Sequence, residues 1–147
     1  SNYAINADWG DATIVNNNIS NNGSYAIYGG SSIRYNHIEG NNLTAGSDEI
    51  IECSWEADII GNTIINNYRK ETIKGGLFIS DNLIDSNGDN PSQGIIYANE
   101  NATIKNNIIS NNTGWVIYNG KYVRSNEITN NYSSNYFSCK STKVEQL

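Results

Sequence analysis

A chain of 147 residues with a formal charge of -6, one Pro, one His and no Met is one domain's worth of polypeptide. It has no cluster of Lys and Arg to track a phosphate backbone, which argues against nucleic acid as a partner. No apolar run approaches the roughly 20 residues that cross a bilayer, which argues against direct membrane insertion.

The abundance of Asn, Gly, Ser, Ile and Tyr suits short strands joined by tight turns. The first residues lack the basic-then-apolar layout of a signal peptide, which leaves a secreted origin open.

Near the start, "TIVNNNISNNG" occupies residues 13–23, and a close copy, "TIKNNIISNNTG", occupies 103–114. Self-similarity of this kind calls for a search for further copies. Six segments share one pattern: Ile or Val, two residues, Asn, one residue, Ile, two residues, Asn. In chain order they are Ile14-Asn17-Ile19-Asn22, Ile33-Asn36-Ile38-Asn41, Ile59-Asn62-Ile64-Asn67, Ile79-Asn82-Ile84-Asn87, Ile104-Asn107-Ile109-Asn112 and Val123-Asn126-Ile128-Asn131.

Between them recurs a second phrase, an apolar pair often followed by Tyr, centred on Ile5, Ile27, Ile51, Ile73, Ile96, Ile117 and Phe137. These centres are 22, 24, 22, 23, 21 and 20 residues apart, and long and short coils alternate. Short coils share Gly30, Gly76 and Gly120, while long ones carry Ala12, Ala57 and Ala102.

A period near 22 with three short apolar segments fits a parallel β-helix, in which each strand pairs with its counterpart one coil away at about 4.8 Å. Identical positions then stack, Ile on Ile in the interior. Two Asn ladders form at the breaks: Asn17, Asn36, Asn62, Asn82, Asn107 and Asn126, and Asn22, Asn41, Asn67, Asn87, Asn112 and Asn131. Asn tolerates left-handed backbone, so the spacing reads as corner, inward side chain, corner. The expected fold is a single all-β domain of six full coils plus a partial seventh, with repeats over 3–139 and a partial coil or tail at 140–147.

These Ile- and Asn-rich repeats resemble the right-handed parallel β-helix repeats of the pectate-lyase-like superfamily. In character they are closest to the Asn/Ile-rich microbial adhesin-like surface proteins. The resemblance implies right-handedness and an extracellular or cell-surface location. It implies no single activity, because that superfamily includes lyases, hydrolases, phage tail-spikes and non-catalytic adhesins.

Its hydrolases use Asp clusters on adjacent coils, and its lyases use Ca²⁺-binding carboxylates with an Arg or Lys base. What this chain offers is an acid-rich third coil, with Glu49, Glu52, Glu56 and Asp58, and Lys74 one coil above. Glu52, Glu56, Asp58 and Lys74 are the catalytic candidates, and a carboxyl pair for glycoside chemistry needs about 5 to 9.5 Å between its members beside a cleft. The plainer expectation is an outward, mildly stabilising Glu52–Lys74 pair on a solvated coil.

His37, without a second His or a paired Cys, reads as an exposed corner residue, and no metal or cofactor is expected. The pairs Gly29-Gly30 and Gly75-Gly76 read as turn geometry. Cys53 and Cys139 share a register for small inward residues, and about 19 Å over four coils is too far for a disulfide, so both are expected as free thiols.

Tyr28, Tyr97 and Tyr118 follow an inward Ile by one residue and therefore face outward. Trp9 and Trp55 occupy matching positions in long coils, and Trp115 precedes the sixth strand. These six aromatics are the candidates for stacking on sugar rings, against the alternative that they stack on one another or tuck under loops. Six glycosylation sequons, at Asn18, Asn22, Asn42, Asn101, Asn111 and Asn131, are within chance for so Asn-rich a chain.

The expected function is a non-catalytic structural or adhesive repeat that contacts glycans. The alternatives are a polysaccharide lyase or hydrolase near the third coil, and a filament subunit self-associating through open β-helix ends.

Overall fold

A computed structural model describes residues 3–8, 10–41, 49–68, 71–132 and the backbone of 144–145. Trp9, Asn42, Phe137 and Cys139, on which expectations were placed, lie outside the described residues.

The described strands form three parallel sheets. The first holds β1 (Tyr3–Asn6), β4 (Tyr25–Tyr28), β7 (Ile51–Glu52), β10 (Ile73–Lys74), β13 (Gly94–Tyr97) and β16 (Trp115–Tyr118). The second holds β2 (Thr13–Val15), β5 (Ser32–Arg34), β8 (Asp58–Ile60), β11 (Phe78–Ser80), β14 (Thr103–Lys105), β17 (Tyr122–Arg124) and β19 (Val144–Glu145). The third holds β3 (Asn18–Ser20), β6 (His37–Glu39), β9 (Thr63–Ile65), β12 (Leu83–Asp85), β15 (Ile108–Ser110) and β18 (Glu127–Thr129).

Every strand pairs with its counterpart one coil away, so the chain is a parallel solenoid of the kind its period predicts. Ile5, Ile27, Ile51, Ile73, Ile96 and Ile117 stack in one register. Ile14, Ile33, Ile59, Ile79, Ile104 and Val123 form the second column, which β19 extends through Val144. Ile19, Ile38, Ile64, Ile84, Ile109 and Ile128 form the third. Strands of the second and third sheets mostly bury only their middle residue, as side-chain alternation requires. Each Ile taken out of water contributes roughly 1.5–3 kcal/mol, and the three columns make up most of the core.

The first sheet breaks the alternation, because Ala26 and Ile27 are both buried. Their two N–H groups donate to the single carbonyl of Ile50, at 3.0 and 3.1 Å, a two-against-one pairing that turns both side chains inward. This is why the second phrase is an apolar pair, and Ile95 with Ile96 repeats it.

The Asn columns differ from the expected corners in one respect. All eight interior ladder members, Asn36, Asn41, Asn62, Asn67, Asn82, Asn87, Asn107 and Asn112, are buried, and none of the twelve ladder Asn has a positive φ. The left-handed residue is always the one before: Asn16, Tyr35, Gly61, Asp81, Asn106 and Ser125 for one ladder, Asn21, Gly40, Asn66, Ser86, Asn111 and Asn130 for the other. One left-handed residue makes each corner, and the following side chain is left inside the bend, where its amide is boxed in by backbone.

Gly29 and Gly75 confirm the reading of turn geometry. Both have positive φ, and a Cβ on either would collide with backbone of the preceding coil, at Asp8 and Cys53 respectively.

Candidate functional site

The outward side chains of the first sheet form two columns. One runs Tyr3, Tyr25, Glu49, Glu71, Gly94, Trp115, each two residues before a stacked Ile. The other runs Asn6, Tyr28, Glu52, Lys74, Tyr97, Tyr118. Read together, they divide the face into an aromatic patch, a charged centre and a second aromatic patch.

In the first patch the rings of Tyr3, Tyr25 and Tyr28 lie 4.7 to 5.6 Å apart. In the centre the Lys74 ammonium contacts Glu49 at 3.0 Å and Glu52 at 2.8 Å. Burial alone would lower the Lys74 pKa, but hydrogen bonds to Glu52 and Glu49 and their charges outweigh it and raise it above the usual value. The Tyr25 phenol is also pushed up, first by burial and then by the charges and hydrogen bonds of Glu49 and Glu52. The outward Glu52–Lys74 pair expected from the register is therefore present, as part of a cluster that also recruits Glu49, only 4% exposed.

The other acidic candidates are not gathered there. Asp58 belongs to the second sheet and pairs with Arg34 at 2.6 Å, a surface contact of small worth. Glu56 lies exposed on the turn after β7, where its backbone N–H donates to Ser54 Oγ at 3.3 Å. Glu52 and Asp58 thus occupy different sheets, on either side of a corner, and each already has a cationic partner. His37 is a half-exposed residue of β6 rather than a corner residue, with Nε2 3.0 Å from Glu39 Oε2. That contact, with a bond from Asn66, holds the Glu39 carboxyl below its ordinary pKa. Among the described residues no group of three or more His, Cys, Asp or Glu is placed to hold a metal.

The second aromatic patch brings together four of the six predicted sugar-stacking residues. Tyr97 and Tyr118 meet edge-on at 5.0 Å, Trp115 lies 5.9 Å from Tyr118, and Trp55 meets Tyr97 edge-on at 5.5 Å. Each such pair is worth about 0.5–1.5 kcal/mol beyond its burial, so the ridge holds its own shape. Tyr28 is separated from it by the charged centre and belongs to the first patch.

Hollows flank the ridge on both sides. A cleft of about 230 Å³ is lined by Glu71, Gly94, Tyr97, Trp115 and Tyr118. A shallower one of about 380 Å³ is lined by Trp55, Ala98, Asn99, Glu100, Asn101 and Asn119. In the latter, Asn99 Nδ2 donates to the Trp55 carbonyl at 3.0 Å, and the Asn101 N–H donates to Asn99 Oδ1 at 2.9 Å, so amides are held in place beside an indole that is 42% exposed.

Glu71 and Gly94 are the cleft residues that motif reading missed. Their signal was their register, since Gly94 stands where the first, second and sixth coils carry Tyr3, Tyr25 and Trp115.

Residues 3–146 match the family model described as the right-handed beta helix region. No curated protein and no solved structure matches the chain. Three parallel sheets in continuous register, wound by one repeat that the family model follows almost from end to end, establish that the chain belongs to the right-handed β-helix family.

Proposed function

We propose that this β-helix repeat domain is a non-catalytic adhesive module of a microbial cell surface or extracellular protein, and that it contacts carbohydrate through the ridge of Trp55, Tyr97, Tyr118 and Trp115. The observation that carries the reading is the convergence of these four rings on one face between two polar-edged hollows. Aromatic faces stack on the apolar faces of sugar rings, while neighbouring amides and carboxylates supply hydrogen-bond partners for hydroxyls. A rigid solenoid holds such a ridge at no ordering cost on binding.

The polysaccharide lyase or hydrolase reading finds less support, since Glu49 and Glu52 are both engaged by Lys74 and Asp58 by Arg34. A glycan array followed by titration calorimetry on the best ligands tests the proposal. Tyr97→Ala and Tyr118→Ala are expected to abolish measurable binding, while Tyr122→Ala, on the second sheet, leaves it unchanged. Absence of any glycan ligand, or equal loss in the Tyr122 variant, would overturn it. Sedimentation of the same samples over a range of concentrations checks the competing reading, since reversible growth into filaments would favour self-association instead.

A further inference from the structure

The cleft beside the ridge contains a carboxylate that no described residue pairs with. Glu49 and Glu52 are both taken by Lys74, but the half-buried Glu71 carboxylate has no hydrogen-bond or ion-pair partner among the described residues. Counting the described charged groups on this part of the face, Glu49, Glu52 and Glu71 stand against Lys74, three negative charges against one positive. These described groups together favour cations over anions at the cleft.

Gly94 is the second observation. Its φ is not in the left-handed region, and an added Cβ would meet only Glu71 Cγ, at an ordinary 3.5 Å. Neither backbone conformation nor crowding requires glycine there, and glycine inside a strand weakens it unless something must approach closely. Its column-mate Trp115 stands beside the gap that the missing side chain leaves, and Tyr97 and Tyr118 complete the walls. The Trp115 indole Nε1–H is out of solvent contact and has no acceptor among the described residues, so it is the indole ring that Trp115 offers to the cleft. At about 230 Å³ the cleft is below the roughly 300–1,000 Å³ of sites for larger ligands, which fits one ring.

Aromatic walls around an unpaired carboxylate are the chemistry that recognises an organic ammonium. We propose that the Gly94 notch is a specificity subsite for an unacetylated amino sugar, with the sugar's ammonium against Glu71 and its ring against Trp115, Tyr97 and Tyr118. This rests on the carbohydrate reading above and narrows it to one substrate class.

Titration calorimetry with four probes tests it: a β-1,4 glucosamine tetramer, its fully N-acetylated counterpart, tetragalacturonate, and choline as an ammonium without a sugar. The glucosamine tetramer is expected to bind at least about tenfold tighter than the acetylated one, the scale of a charge-assisted hydrogen bond, with tetragalacturonate weakest. Glu71→Gln, nearly isosteric, is expected to erase that preference by weakening the glucosamine tetramer to the level of the acetylated one. Gly94→Val is expected to weaken both tetramers about tenfold or more by filling the notch, with an unchanged circular dichroism spectrum showing that the fold survives.

Equal wild-type affinity for the two tetramers, or a preference that persists in Glu71→Gln, overturns the subsite while leaving the ridge reading standing. Choline binding as tightly as the glucosamine tetramer overturns the sugar part of the assignment. If no saccharide binds the wild-type protein, the subsite and the carbohydrate reading fall together.

Discussion

Asn82 accepts two hydrogen bonds from Asn62 through one side-chain oxygen, from the backbone N–H at 2.9 Å and from Nδ2 at 3.0 Å. Because a backbone N–H only donates, this contact fixes the amide orientation: Oδ1 faces Asn62, and Nδ2 donates to the Ile59 carbonyl and to Asn107 Oδ1, both at 2.9 Å. The same arrangement recurs in the parallel ladder, as at Asn87. The Asn-to-Asn bonds all point one way along the solenoid, so each polarises the next.

Removing a middle rung leaves several buried groups unpaired, each costing about 1–3 kcal/mol. Asn82→Ala is therefore expected to destabilise by several kcal/mol. Asn17→Ala, at a half-buried end rung that water reaches, is expected to cost less than about 1 kcal/mol. Urea unfolding of the two variants checks this, and equal losses would mean that the ladder is not cooperative structure but surface decoration.

The corner residues make an opposite-signed pair. Asn130 and Ser125 are exposed and left-handed, both with φ of 53°. Asn130→Val is expected to lower stability by about 1–2 kcal/mol, since a β-branched residue is strained there, while Ser125→Asn is expected to raise the melting temperature slightly. A loss in Ser125→Asn would contradict the backbone argument.

Lys74→Met strands two carboxylates. Loss of about 2–4 kcal/mol is expected at pH 7, somewhat below the cost for a fully buried pair because Lys74 is partly in water. Unfolding midpoints of the variant and the wild type read this. The wild type carries two contributions of opposite pH sense. The Lys74 contribution, from a raised pKa, is complete below its unfolded value of 10.5 and is lost as pH climbs through the folded one. Asp85, lowered first by its Ser110 bond and also by Asn111 and Ser86, contributes above 3.8 and loses that contribution as pH falls through its folded value.

Thr72 occupies the inward register beside Ile73, fully buried, and its hydroxyl has no partner among the described residues. Its counterparts Ile50 and Ile95 are apolar. Thr72→Val keeps the shape and removes the orphan, so a gain of about 1 kcal/mol is expected. No gain in melting temperature would mean that the hydroxyl finds a partner in solution.

Cys53 is 1% exposed, and burial, followed by the Glu52 charge, pushes its thiol up to about 12. With so little thiolate it is expected to resist an aromatic disulfide reagent at pH 8 until the protein unfolds. The labelling rate in a Cys139→Ser background, native against urea-unfolded, measures it; rapid native labelling would refute the inward register.

The period, the three Ile columns and both Asn ladders were legible because in a solenoid each position meets its own kind, so one repeat predicts its neighbours. The Glu52–Lys74 contact was legible for the same reason. The left-handed corner residue was not, since Asn, Tyr, Gly, Asp and Ser all serve there and only the backbone distinguishes it from the ladder Asn beside it. Nor was the division of the aromatics: Tyr28 and Tyr97 hold equivalent places in their coils, and what separates them is Glu52 and Lys74 in the intervening coils.

Sequence alone determined the winding, because a repeated pattern of apolar, amide and turn residues has one economical way to bury its Ile side chains and pair its backbone. The tertiary structure decided where the ridge and cleft lie. These depend on unlike residues meeting across coils, Gly94 under Trp115 and Lys74 against Glu49 and Glu52, and such contacts carry no periodic signal because each occurs once.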